Sequence, residues 1–183
     1  MFSERHFGMF IRALTFAADK HQNQRRKGRD HLPYVNHLIR VTDILWRVGE
    51  VRDVSTLLAA LLHDTLEDTD TTAGELEALF GADVLALVQE VTDDKALPKA
   101  MRKQLQVEHA PHLSNGARLI KLADKIDNVY DVSHDPPQDW SHERMVAYLD
   151  WAEAVVAGLR GVNVALETHF DAVLHEAREI LGV

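Results

Sequence analysis

Apolar residues recur along this chain at intervals of three and four, the spacing that gathers side chains onto one face of an α-helix. Phe10, Leu14, Ala17 and His21 mark a first helix. Pro33 opens a second, which carries Leu38, Ile39, Thr42 and Leu45 and has Gly49 just past its end. Asp53 or Ser55 can cap a third, built around the run Leu57-Leu58-Ala59-Ala60-Leu61-Leu62. Thr72-x-x-Glu75 reads as a capping box for a short helix through Phe80, stopped by Gly81. Val84, Leu87, Val88 and Val91 repeat the stripe, as do Leu119, Ile120, Ala123, Ile126 and Val129. Two longer helices are expected, from Ser141 to Arg160 and from Val164 to Leu181. No run alternates with the period of a strand. The pattern predicts an all-α fold, a compact multi-helix bundle forming one domain over residues 1–183, with Pro136-Pro137 as a loop inside it.

The apolar run of the third helix ends abruptly in His63-Asp64-Thr65-Leu66-Glu67-Asp68. If the helix continues, His63 and Glu67 stand at i and i+4, as do Asp64 and Asp68, and all four share one arc. Three carboxylates and an imidazole beside a core are costly unless something offsets them, and a divalent cation is the usual compensation. Two further ligands must come from elsewhere. Asp124 is an acid inside an apolar-periodic helix, and His37 sits near the start of the second helix. With His63 and Asp64 they make a two-histidine, two-aspartate set that suits Mn²⁺, Fe²⁺ or Zn²⁺ and leaves positions open. Most of the 11 histidines have no such setting; His109, His112, His134, His142, His169 and His175 read as surface or structural residues.

Composition narrows the function. With no cysteine, thiolate metal sites and cysteine nucleophiles are excluded, and a reducing compartment fits. The apolar runs are too short to span a bilayer, and Met1-Phe2-Ser3-Glu4-Arg5-His6 lacks a signal pattern. A cytoplasmic protein without a membrane partner is expected. A net charge of −9 argues against a nucleic-acid polymer as partner. Against that background Arg25-Arg26-Lys27-Gly28-Arg29 is a dense positive patch, suited to a small polyanion.

His37, the pair His63-Asp64 and Asp124, in that order on separate helices, resemble the ligand set of the HD-domain metal phosphohydrolases. His63-Asp64-Thr65-Leu66-Glu67-Asp68-Thr69 is similar to the HDTxEDT segment of the RelA/SpoT alarmone hydrolases. Arg25 to Gly28, Pro33 to His37, Val91 to Lys95 and Lys121 to Asn128 resemble that family's other motifs and occur in its order, between about Phe10 and Gly161. The small stand-alone hydrolases, the group of the metazoan SpoT homologue, look nearest.

The resemblance implies a Mn²⁺-dependent 3′-pyrophosphohydrolase whose small-molecule substrate is guanosine tetra- or pentaphosphate. It implies His37, His63, Asp64 and Asp124 as metal ligands and Glu67 and Asp68 as catalytic carboxylates. It also implies Arg26, Lys27, Asn128, Arg144 and Tyr148 as residues bordering the nucleotide. Two positions depart from the pattern. Leu38 stands where relatives commonly have proline, and Asp131 stands where the long enzymes often have threonine, which leaves the ribose contacts open. Removal of phosphate from another nucleotide such as NADPH is a neighbouring reading. A non-catalytic nucleotide sensor is a third, opposed by Glu67 and Asp68, which a sensor has no need of. Oligomeric state is not legible in the sequence.

Overall fold

The structure is a computed structural model and describes residues 3–183; Met1 and Phe2, part of the N-terminal stretch read above, lie outside the described residues. The helices run in the order α1 (Glu4–Lys20), α2 (Val35–Arg47), α3 (Val54–Leu62), α4 (Thr65–Asp68), α5 (Ala73–Phe80) and α6 (Ala82–Val91). They continue with α7 (Lys99–His109), a 3₁₀ turn (Ala110–His112), α8 (Asn115–His134), α9 (His142–Leu159) and α10 (Val164–Leu181). The all-α bundle expected from the pattern is present, and among the described residues no strand forms beyond an isolated bridge between Arg25 and Pro33. No helix among the described residues is long and apolar enough to cross a membrane.

Helix α8 is the central post. It packs against α2, α3, α6, α9 and α10, and Ile120, Leu122, Ala123, Ile126 and Val129 are buried on it. Helix α3 is the most enclosed element, with every residue from Thr56 to Leu62 buried, which is why it reads as apolar all round and not as a stripe. Asp53 caps it, its side chain accepting from the Thr56 backbone N–H at 2.8 Å. At α5 half of the expected capping box forms. Thr72 accepts from the Glu75 N–H, while the Glu75 carboxylate pairs with Lys20 at 3.2 Å.

Two expectations need correction. The motif helix is not continuous through Asp68. It stops at Leu62, turns at His63-Asp64 and restarts as α4, with Asp64 as its N-cap residue. Side chains occupy carbonyls of the last α3 turn: Thr65 Oγ1 donates to Leu62 O at 2.6 Å, and His63 Nδ1 lies 2.8 Å from Ala60 O. Helix α7 had no predicted counterpart. None of its residues is buried, though Val107 packs against the core from its edge.

Candidate metal centre and active site

Three elements converge on one cleft. Helix α2 brings His37, the α3–α4 turn brings His63 and Asp64, and α8 brings Asp124. One ligand atom from each of His37, His63 and Asp124 lies within 4.8 Å of the others. His37 Nε2 stands 3.2 Å from Asp124 Oδ1 and 3.7 Å from Asp64 Oδ2. His63 Nε2 stands 3.2 Å from Asp64 Oδ2 and 3.7 Å from Asp124 Oδ1. Tyr34 donates its hydroxyl to Asp64 Oδ2 at 2.6 Å. The four ligands expected from the sequence are therefore neighbours in space.

The donor set fits a divalent cation. His63 Nε2 is buried and makes no hydrogen bond. Its Nδ1 lies against a carbonyl, which can only accept, so Nδ1 carries the proton and Nε2 the lone pair. Donors about 2.1 Å from one ion stand about 3–4 Å apart, the spacing of these atoms. Without a cation the cluster must hold protons instead. Burial lowers the proton affinity of His63, but the Asp64 charge and the approach of Asp124 outweigh it and push the imidazole up to about 10. Burial raises Asp64 and Asp124. The charge of His63 reverses this for Asp64, and that of Lys125, 2.9 Å away, for Asp124, so both are held below the usual carboxylate range.

Glu67 lines the same cleft, a cavity of about 140 Å³ shared with Tyr34, Lys121, Lys125 and Asn128. Its Oε2 accepts from the Asp93 N–H at 3.1 Å, and Arg102 lies 3.5 Å from Oε1. Burial raises its pKa above the ordinary glutamate value; the charges of Asp93, Asp64 and Asp68 add to this, and the Asp93 hydrogen bond opposes it. Asp68 faces elsewhere. It pairs with Lys95 and accepts from Gln24 Nε2 at 2.8 Å, lining an adjoining cavity of about 350 Å³. The break between α3 and α4 thus divides the four ionisable residues between two connected clefts.

The larger cleft holds the other sequence-predicted residues except Arg144. Arg26, Lys27, Asn128 and Tyr148 line it, with Asp131 and Trp140. The basic loop reaches it through Gly28, where a Cβ would stand 1.8 Å from Asp135 Oδ2 and 2.8 Å from its carbonyl oxygen. Arg26 is not a solvated cation. It donates to Asn128 at 2.7 Å and to Asp131 at 2.8 and 3.0 Å, over the face of Tyr34. Asn128 in turn donates to Asp124 at 2.6 Å. Arg144 and Tyr148 line a third cavity of about 230 Å³ with Lys27, Lys99, Arg102, Lys103, Trp140 and Trp151. Arg144 lies 4.4 Å from the Trp140 ring centre and Lys103 4.5 Å from that of Trp151. Burial and mutual repulsion lower the pKa of Lys99 and Lys103. Tyr148, buried among them, is pushed up to about 12 and stays a neutral phenol.

Sequence reasoning missed Lys99, Arg102 and Lys103 because they lie on α7. Their spacing, with Gln106, is i, i+3, i+4, i+7, a helical stripe written in polar residues. It also missed Arg40 and Asp127, which meet in an ion pair beside His37.

Residues 13–149 match the family model for the HD domain. The chain is 54% identical over 159 residues to guanosine-3′,5′-bis(diphosphate) 3′-pyrophosphohydrolase MESH1 of Danio rerio, covering 87% of this chain and 88% of that one. It is also 54% identical over 157 residues to the protein of the same name from Homo sapiens, covering 86% and 88%. Among solved structures it superposes with a TM-score of 0.89 and 48% identity on one described as a metazoan ortholog of SpoT that hydrolyzes ppGpp, covering 92% of this chain and 94% of that one.

Proposed function

Because the chain belongs to the HD-domain family, and within it to the MESH1 group of guanosine-3′,5′-bis(diphosphate) 3′-pyrophosphohydrolases, we propose that it removes the 3′-pyrophosphate of guanosine tetra- and pentaphosphate. The products are pyrophosphate and GDP or GTP. Residues 1–183 act as one hydrolase domain, in the cytoplasm, and the resident cation is Mn²⁺. The observation that carries this reading is the meeting of two imidazoles and two carboxylates under Glu67, at the edge of a surface lined by cations and aromatic rings.

His37, His63, Asp64 and Asp124 would hold the cation. When bound, it supplies Lewis acidity, polarising a phosphoryl oxygen and lowering the pKa of a water. Tyr34 holds Asp64 in its orientation, and Lys125 and Asn128 hold Asp124. Glu67 takes a proton from the attacking water. Its raised proton affinity suits holding that proton until the departing ribose O3′ takes it. The water oxygen bonds to the phosphorus next to O3′ as the P–O3′ bond breaks. Asp68, braced by Lys95 and Gln24, borders the adjoining cleft as the second carboxylate of the site.

The substrate carries phosphate at both ends of its ribose. Asn128 lines both the metal cleft and the larger one, Lys27 both the larger one and the cationic cavity, and Arg26 the larger one, an arrangement that suits bordering the nucleoside. Lys99, Lys103 and Arg144 form a cationic wall, with Asp139 3.5 Å from Arg144, which suits the phosphates at the other end of the ribose. Trp140 and Tyr148 offer faces to a base or to the flanking guanidinium.

The experiment is direct. Purified protein loaded with Mn²⁺ is incubated with guanosine tetraphosphate, guanosine pentaphosphate and NADPH, and pyrophosphate and orthophosphate release are assayed separately. Pyrophosphate with GDP or GTP is the expected result. Orthophosphate alone, or turnover confined to NADPH, would overturn the reading.

A further inference from the structure

Asp127 is a carboxylate only 3% exposed in the central helix, on none of the cavity walls described above. Both its oxygens are engaged. Oδ2 lies 2.6 Å from His37 Nδ1 and accepts from Arg40 Nη2 at 3.1 Å; Oδ1 accepts from Arg40 Nε at 2.5 Å. Arg40 stands three residues after His37 on α2, and Asp127 three after Asp124 on α8. The two helices that carry these ligands are thus pinned together by a pair one turn beyond them. Arg40 also donates to Asp131 at 3.0 and 3.1 Å. Asp131 accepts from Arg26, Arg26 donates to Asn128, and Asn128 donates to Asp124, whose Oδ1 faces His37 Nε2. The circuit closes on the ring where it began, and it gives Asp131 the task of spacing two guanidinium groups.

We propose that Asp127, anchored by Arg40, is the positioning residue for His37. It accepts a hydrogen bond from Nδ1–H and so fixes the tautomer that leaves the Nε2 lone pair facing Asp64 and Asp124. The proposal rests on His37 being a ligand. A neutral imidazole carries one proton, so the partner of one nitrogen decides what the other can bind. A carboxylate behind a ligating histidine also fixes the ring plane. Arg40 makes this workable. A buried carboxylate with no cation is strongly disfavoured, and two guanidinium bonds hold Asp127 in the one rotamer that reaches Nδ1. Arg40, with a third of its side chain exposed, delivers that charge from the solvent side.

The test uses the full chain, stripped with a chelator and titrated with Mn²⁺ by calorimetry, with metal-free melting followed by circular dichroism. Asp127→Ala should weaken Mn²⁺ binding by about 10–100-fold. Asp127→Asn should also weaken it, because the amide turns its oxygen toward Arg40 and its NH₂ toward His37, favouring the opposite tautomer. Arg40→Met should lose less, and Arg40→Lys should recover part of that loss. If Asp127→Ala fails to fold, Asp127→Asn and Arg40→Met decide. Binding within about threefold of wild type in Asp127→Asn overturns the proposal. So does an affinity loss confined to variants whose metal-free melting falls in step, which would assign the pair to fold alone. His37→Ala separates this from the ligand assignment. If it binds Mn²⁺ normally the ligand reading fails, whereas weak binding there beside an intact Asp127→Asn sinks only the positioning role.

Discussion

Replacing Glu67 with glutamine should separate catalysis from folding in one substitution. Glutamine keeps the length of the side chain and an oxygen to accept the Asp93 N–H, so the local structure should survive. It lacks a basic carboxylate. Loss of a general base costs about 10²–10⁴-fold in kcat, equivalent to about 3–5 kcal/mol of activation barrier. KM for a polyanionic substrate should stay level or fall, since one negative charge leaves the cleft. Stability should move the other way. The folded protein raises the Glu67 pKa, chiefly by burial, so the native state binds this proton more tightly than the unfolded chain. That preference favours the fold below the ordinary glutamate pKa and is lost as pH rises through the raised value. At neutral pH the wild type therefore buries an unwelcome charge that Glu67→Gln does not. The variant should melt at or above the wild-type temperature at pH 7, and the advantage should vanish toward pH 4. The assay pairs pyrophosphate release at saturating guanosine tetraphosphate with metal content and metal-free melting across that pH range. A variant whose kcat is within about threefold of wild type refutes the general-base role, and one that loses Mn²⁺ moves Glu67 into the ligand set.

Asp64→Ala should abolish Mn²⁺ binding and activity while leaving helical circular dichroism largely unchanged; full metal occupancy would remove Asp64 from the site. Arg26→Lys should lower kcat/KM for guanosine tetraphosphate by about tenfold or more, because an ammonium cannot span Asn128 and Asp131 together as the planar guanidinium does. Equal kcat/KM would reduce Arg26 to a point charge. Lys99→Glu should raise KM more for the pentaphosphate than for the tetraphosphate, with kcat little changed, and an equal effect on both would place the second phosphate group away from α7.

What the sequence disclosed depended on what each element buries. Helix α8 was legible because Ile120, Ala123, Ile126 and Val129 pack into the core at helical spacing. Helix α7 was invisible because its stripe faces a cleft and not the core. The break at His63-Asp64 was hidden for a different reason. The apolar run continues up to it unbroken, and what ends the helix is hydrogen bonding by His63 and Thr65 to nearby carbonyls. The four candidate ligands could be named because each is a metal-binding type in a recognisable motif. Asp127 lies in one of those motifs too, between Ile126 and Asn128, but nothing local marks its role: its partners Arg40 and His37 stand 87 and 90 positions away.

Helix α8 also works as a register. Over fewer than three turns it presents Lys121, Asp124, Lys125, Asp127, Asn128 and Asp131 in fixed angular order to separate neighbours. Inserting or deleting one residue in that span would rotate everything beyond it by about 100° relative to what precedes it. Asp124 and Asp131 could then no longer serve the ring of contacts they share. Length variation is therefore better borne at places such as residues 160–163, the turn between α9 and α10, which lines none of the three cavities of the site and where no angular order has to be kept. Within α8, divergence can proceed only by exchanging one side chain for another.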